Sequence, residues 1–151
     1  MSDSVGEGEE LVLQGRGVVE GYAEAEALVT HDTISGWGGV DPSEGRIIET
    51  HHELSGQSFT DKVLVFPGAK GSSGWSSIFH TTRLAGTAPA AMVYEETTTK
   101  VALGAVVTRV PAVTDLDRSP VDLIETGDLI AVDGDAGTVT VTKRGVAEDR
   151  E

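Results

Sequence analysis

Val63-Leu64-Val65-Phe66 is a run of four apolar residues, closed by Pro67 and followed at once by Gly68. A strand with no polar residue on either side must be covered on both faces. That is the situation of a central strand in a layered sheet, not of a sheet with one face in water. The chain must therefore supply cover for two faces, and the segments around this run indicate how. Lys62–Phe66 leads into the glycine-rich turn Gly68-Ala69-Lys70-Gly71-Ser72-Ser73. Beyond it a helix is expected from Gly74 to Leu84, with Ile78, Phe79 and Leu84 buried and Gly86 as its stop signal. Ala90–Tyr94 reads as a second buried strand. Thr97-Thr98-Thr99 offers N-caps for a helix through Val107.

The remaining segments read as strands. Leu11–Glu20 is interrupted by Gly15 and Gly17, while Glu24–Thr30 alternates with Ala25, Ala27 and Val29 on one face. Arg46–Thr50 and Val110–Val113 are short strands, and residues 127–141 form a hairpin turning at Asp133-Gly134. This order predicts an α+β fold of β/β/α type, a mixed sheet or partial barrel covered by two helices. One domain over 11–143 is expected, between an acidic disordered tail at 1–10 and a flexible tail at 144–151.

Charge and composition narrow the function. In 151 residues, 25 acids face 11 bases, a formal charge of −14. Binding to a phosphate backbone rests on clustered Lys and Arg, and there is no basic run here, so no nucleic-acid partner is expected. An anionic membrane would be repelled, and no apolar stretch approaches the roughly 20 residues of a bilayer span. The acidic start MSDSVGEGEE has no apolar core like that of a signal peptide, which points to the cytoplasm. With no Cys, this chain alone cannot hold an iron–sulfur cluster or a Cys-ligated zinc.

A glycine-rich turn from a buried strand into a helix directs backbone N–H groups and the positive end of the helix dipole at one place, which favours a carboxylate or phosphate. Gly71-Ser72-Ser73 is such a turn. It is not a Walker A loop, because no Lys-Ser/Thr follows the last glycine, and it is not G-x-S-x-G. From local pattern alone, Ser72 or Ser73 either caps the helix or takes part in chemistry. The loop Trp37-Gly38-Gly39-Val40-Asp41-Pro42 lets backbone approach something closely, or is a tight turn with its Trp packed on the sheet. His51-His52-Glu53 makes a zinc site conceivable, but adjacent residues on a strand point to opposite faces.

Several segments together resemble a known family: Gly15-Arg16-Gly17, Ile34 through Pro42, Gly45, His51 through Gly56, Pro67 through Ser73, Gly86 through Ala91, and Leu103 through Val106. The chain resembles the small swivel subunit of aconitase X over about Leu11–Val141. Gly36 departs from the pattern, where an aromatic residue is expected before Trp37.

The resemblance implies a swivelling β/β/α domain and a heteromeric hydro-lyase that dehydrates a β-hydroxy acid. Mevalonate 5-phosphate ranks ahead of cis-3-hydroxy-L-proline as the substrate. It also implies a larger, Cys-bearing catalytic subunit as partner. That partner would hold an iron or iron–sulfur centre acting as Lewis acid, with no metal on this chain. Ser72 would be the proton-abstracting base, with Gly71, Ser73, Lys70, Gly38, Gly39 and Asp41 in supporting or substrate-binding places. The rival of another class is a non-catalytic swivel module that binds an anion or a partner.

Overall fold

The computed structural model describes residues 10–71, 74–96 and 98–143. The tails expected at 1–9 and 144–151 lie outside the described residues. Glu10, expected in the tail, opens the first strand.

The strands are β1 (Glu10–Gln14), β2 (Arg16–Val19), β3 (Tyr22–Val29), β4 (Ile34–Ser35), β5 (Val40–Asp41), β6 (Arg46–Ile47), β7 (Val63–Phe66), β8 (Ala69–Lys70), β9 (Ala91–Tyr94), β10 (Ala112–Thr114), β11 (Leu129–Asp133) and β12 (Thr138–Thr142). The helices are α1 (Trp75–Ala85), α2 (Thr99–Thr108) and α3 (Pro120–Leu123). Eight strands form one sheet in the order β1-β12-β11-β3-β7-β9-β10-β2. The run β3-β7-β9-β10 is parallel and the other pairings are antiparallel.

The two ends of that order, β1 and β2, are successive pieces of chain with only Gly15 between them. The sheet must therefore curl until its two ends come together at Gly15. Glycines make the closure possible. A Cβ on Gly17 would lie 1.9 Å from the Gly134 carbonyl oxygen, and one on Gly134 equally close, at 1.9 Å, to that of Val19. Here two backbones touch where side chains would hold them apart. Gly17 thus belongs to the interior of β2, and the interruption expected at both glycines occurs at Gly15 alone.

Alternation sorts the core into two layers. Val63 and Val65 of β7 join Ala91 and Val93 of β9 inside the curled sheet, with Leu13, Ile130, Val132, Val139 and Val141. Leu64, Phe66, Met92 and Tyr94 face the other way, against Trp75, Ile78 and Phe79 of α1 and Val101 and Ala105 of α2. All four residues of β7 are buried, as the apolar run requires. At about 1.5–3 kcal/mol for each large apolar side chain, this double burial is the main stabilising term in the centre of the fold.

Three local readings are corrected. Leu84 is 73% exposed because Trp75, Ile78, Phe79 and Thr82 form the buried stripe of α1, and Leu84 sits about 200° round the helix from Thr82. The hairpin turns through four residues, Gly134–Gly137, with Asp133 Oδ1 accepting from the N–H groups of Asp135 and Ala136, both at 3.0 Å. Asp133-Gly134 is only its first half. Arg46–Thr50 shortens to the two residues of β6, paired with β5. The acidic segment 115–122 is built into the fold. It contains α3, which buries Pro120 and Val121, and Asp115 pairs with Arg16 at 2.8 Å.

Tyr94 ends β9 with its ring against Phe66, centroids 5.8 Å apart, and its hydroxyl buried without a hydrogen-bond partner among the described residues. Burial pushes its phenol up from 10.0 to about 12. Above pH 10 the unfolded chain releases this proton and the folded chain keeps it, so stability is expected to fall as pH rises from about 10 to about 12, with no contribution below that window. Tyr94→Phe should abolish that alkaline loss and be neutral or stabilising by up to about 1 kcal/mol at pH 7, since it removes an unsatisfied hydroxyl. Urea titrations at pH 7 and pH 11 would read both effects.

Candidate functional site

The parallel strands β7 and β9 deliver their carboxyl ends to the place where sequence analysis puts the serine loop. Ligands of parallel sheets characteristically bind at such ends. After β7 the chain turns at Pro67-Gly68 into β8, which pairs with β4 in parallel: Ile34 opposite Ala69, Ser35 opposite Lys70. This pairing brings the loop 36–39 beside Gly71. A Cβ on Gly71 would lie 3.4 Å from Ser35 Oγ, and at φ +94° the residue occupies backbone space open mainly to glycine.

Ser72 and Ser73 lie outside the described residues. The N-cap position of α1 is Gly74.

The loop from β4 is held from inside. Trp75 is fully buried, stacks on Phe79 at 4.3 Å, and its indole N–H donates to the Ile34 carbonyl at 2.9 Å. The first residue of α1 thus fastens the strand that precedes the loop. Gly36 packs directly on it: a Cβ there would come within 2.9 Å of Trp75 Cα. In this chain that contact opposes the aromatic residue expected at 36. Gly39 is equally confined, since a Cβ would lie 2.2 Å from the Ser35 carbonyl oxygen. Gly38 is exposed with open space around it, and Trp37 is 68% exposed, so it does not pack on the sheet.

Asp41 is engaged locally. Its carboxylate accepts from the Ser43 hydroxyl at 2.7 Å and the Ser43 N–H at 3.0 Å, and these bonds hold its carboxyl below the usual range. It fixes the turn that closes β5 onto β6 and so shapes the loop's far side.

Two lysines flank Gly71. Lys70 Nζ donates to Glu49 Oε2 at 2.9 Å. Lys100, in the first turn of α2, donates to the Gly71 carbonyl at 2.5 Å. Sequence reading missed Lys100, because a lysine 29 residues from Gly71 gives no local signal. Thr98 caps α2, its hydroxyl accepting from the Val101 N–H at 3.4 Å, as expected of the threonine run, while Thr97 lies outside the described residues. Neither α1 nor α2 carries an acid in its first turn. The positive potential of both helix starts is therefore left uncancelled by their own side chains.

His52 serves structure. His52 is buried, its Nδ1 accepting from the Leu54 N–H at 3.0 Å while Nε2 lies 3.2 Å from the Thr33 carbonyl, so both nitrogens are occupied by backbone. Glu53 accepts from the His31 N–H at 2.8 Å and the Thr30 hydroxyl at 2.7 Å, which hold its carboxyl below the usual range. Among the described residues no cluster of three or more His, Asp or Glu could hold a metal ion, so these residues do not fit an iron centre. No helix among them is long and apolar enough to cross a membrane.

Comparisons with known proteins agree with this architecture. Residues 12–141 match the family model of the aconitase X swivel domain. A phosphomevalonate dehydratase small subunit from Methanosarcina acetivorans is 40% identical over 131 residues, 87% of this chain and 91% of that one. Its counterpart from Pyrococcus furiosus is 38% identical over 133 residues, 88% of this chain and 97% of its own length. The crystal structure of Thermococcus kodakaraensis aconitase X in its holo-form superposes with a TM-score of 0.82 at 37% identity, covering 87% of this chain and 98% of that one. With the family match over residues 12–141, the near end-to-end similarity and the shared fold in agreement, this chain belongs to the aconitase X swivel-domain family.

Proposed function

We propose that this chain is the small, swivel subunit of a phosphomevalonate dehydratase, a hydro-lyase that removes water from mevalonate 5-phosphate. Residues 11–143 form its single domain, in the cytoplasm, and it works only with a larger, Cys-bearing catalytic subunit. The observation that carries the reading is the pairing of β4 with β8, which sets the two family loops side by side at the carboxyl end of the buried strands.

Dehydration of a β-hydroxy acid breaks a C–H bond next to the carboxylate and a C–O bond at the next carbon, with a double bond formed between them. In this reading Ser72 takes the proton and Ser73 supports it. A neutral serine is a poor base, so the hydroxyl must be held as an alkoxide by donors and positive charge. The α1 start and the Gly71 turn supply such a setting. Lys70, tied to Glu49, holds β8 in place, while Gly38, Gly39 and Asp41 shape the facing wall. The iron or iron–sulfur centre belongs to the partner, where it supplies Lewis acidity. This chain contributes the cap, the anion-favouring turn and the base. Trp37, exposed at the tip of its loop, is offered to the partner or the substrate.

The test is affinity purification of the chain with its native partners, followed by iron analysis and assay. The expected result is a complex with a larger Cys-bearing chain that contains iron and dehydrates mevalonate 5-phosphate, each chain alone being inactive. Recovery of a monomeric, metal-free chain would favour the binding-module reading. Turnover of cis-3-hydroxy-L-proline alone would overturn the substrate.

A further inference from the structure

The ten residues of α2 carry a single charge, Lys100, in a chain with 25 acids and 11 bases. Val101, Gly104, Ala105 and Thr108 form its buried side. Its outward side is Thr99, Ala102, Leu103 and Val106, with Leu103 48% and Val106 51% exposed. A surface helix ordinarily turns charged or polar residues to water, and one that is apolar all round is covered. The neighbouring α1 keeps to that rule, showing Ser77, His80, Thr81 and Arg83 to solvent. α2 does not. From Thr99 to Val106 its stripe runs two turns, about 10 Å. It ends in a groove where Val106 meets Val18 and Val19, and acids, Glu20 and Asp135, stand only at that far edge. An apolar centre with charge at the rim is the composition of a protein interface.

We propose that this stripe and Trp37 together form the surface on which the larger subunit docks. The inference rests on the reading of this chain as one half of a two-chain hydro-lyase, and not on the place of either serine. What selects the occupant is where the stripe begins. Lys100, in the first turn of α2, donates to the Gly71 carbonyl, and a Cβ on Gly71 would lie 3.4 Å from Ser35 Oγ. The glycine turn thus touches both the helix that carries the stripe and the strand end that carries Trp37. That tryptophan is 68% exposed on a loop whose backbone is fixed. The N–H groups of Gly39 and Val40 both donate to the Gly36 carbonyl, at 3.2 and 3.1 Å, and the Ser35 hydroxyl donates to the Trp37 carbonyl at 3.2 Å. A preorganised tryptophan is the commonest kind of interface anchor. A chain that closes over the turn meets Trp37 and the stripe at once, whereas a small hydroxy acid held at the turn does not extend along two turns of helix. A second copy is a poorer occupant. It would bring −14 against −14, and it would cover the very turn that must face the other subunit. The matching face of the larger subunit is therefore apolar at its centre, with basic groups opposite Glu20 and Asp135.

The test measures the affinity of the larger chain, recovered as above, for the native protein and for Leu103→Glu, Val106→Glu, Trp37→Ala and Leu84→Glu. Tm and size-exclusion chromatography of each small chain alone accompany it. Leu103→Glu and Val106→Glu should each weaken binding by at least about tenfold, and Trp37→Ala by about thirtyfold. Tm should stay within about 3 °C of native, since these side chains are exposed in the isolated chain. Leu84 is 73% exposed at the end of α1 away from the turn, and its variant should bind within about twofold of native. The inference is overturned if the stripe variants bind as the native chain does, or if Leu84→Glu weakens binding as much as they do. Glutamates that dissociate a dimer of this chain and leave the larger chain's affinity intact would give the stripe to a second copy. A larger fall in Tm for both glutamate variants would mean that the stripe is covered within this chain, and would overturn the inference too. A native chain that binds no larger chain sinks the two-chain reading, and this inference with it.

Discussion

Ser72→Ala in the reconstituted complex is expected to lower turnover of mevalonate 5-phosphate by at least about a hundredfold while the two subunits still assemble. The magnitude follows from the role. Removing a general base leaves the partner's Lewis acidity and substrate binding intact, so the loss is confined to the proton-transfer step. kcat should fall with KM nearly unchanged, since the serine acts in the transition state more than in the ground state. Assembly should survive because the substitution removes one oxygen from a turn next to exposed Gly71 and leaves the fold's anchors untouched. Steady-state kinetics with size-exclusion chromatography of each preparation reads both. Turnover within a few-fold of native would reassign the base to the partner and leave this chain a cap.

Trp75→Ala should produce the largest loss of stability of any single change in this fold, about 3–5 kcal/mol by the usual cost of truncating a buried aromatic. Three contacts disappear together. The ring leaves its stack on Phe79 at 4.3 Å, and Phe66 loses a neighbour at 6.1 Å. The Ile34 carbonyl also loses the indole N–H that met it at 2.9 Å. Gly104 of α2 is moulded to the same ring, since a Cβ there would lie 2.2 Å from Trp75 Cζ3, so a void opens between the helices. In a domain of this size the loss corresponds to a fall in Tm on the order of 10–20 °C. Trp75→Phe, which keeps most of the apolar area but not the N–H, should lose less, roughly 1–3 kcal/mol. Because β4 and the loop 36–39 hang from this contact, the Ala variant should also bind the partner less well at temperatures where it remains folded. Calorimetry of the three proteins would decide. Equal melting of Phe and Ala variants would place the whole effect in the hydrogen bond.

What could be read without coordinates was the part governed by local pattern. The apolar run 63–66 required cover on both faces, and the two core layers on either side of β7 are that cover. Thr98, Gly86 and the turn after β7 are positions where one residue's own chemistry fixes a helix end or a loop, so α1 and α2 were legible to within a residue or two. The family segments were legible as words in the sequence, and the match of residues 12–141 to the swivel-domain family agrees with them.

Tertiary structure decided what depends on residues far apart in the chain. The closure of the sheet at Gly15 joins β1 to β12 and β2 to β10, pairings more than 90 residues apart that no periodicity announces. Leu84 is apolar and lies in a helix, yet which stripe of α1 faces inward was set by Trp75, whose partners lie on other elements. Asp41 takes its local place from Ser43, whose hydroxyl and N–H donate to its carboxylate. Lys100 meets the Gly71 carbonyl only because α2 packs beside that turn, a contact between segments 29 residues apart. Hydrophobic period and turn chemistry act over a few residues and leave their mark in the sequence. Strand order and charge placement arise where distant segments meet, and there the packed fold decides.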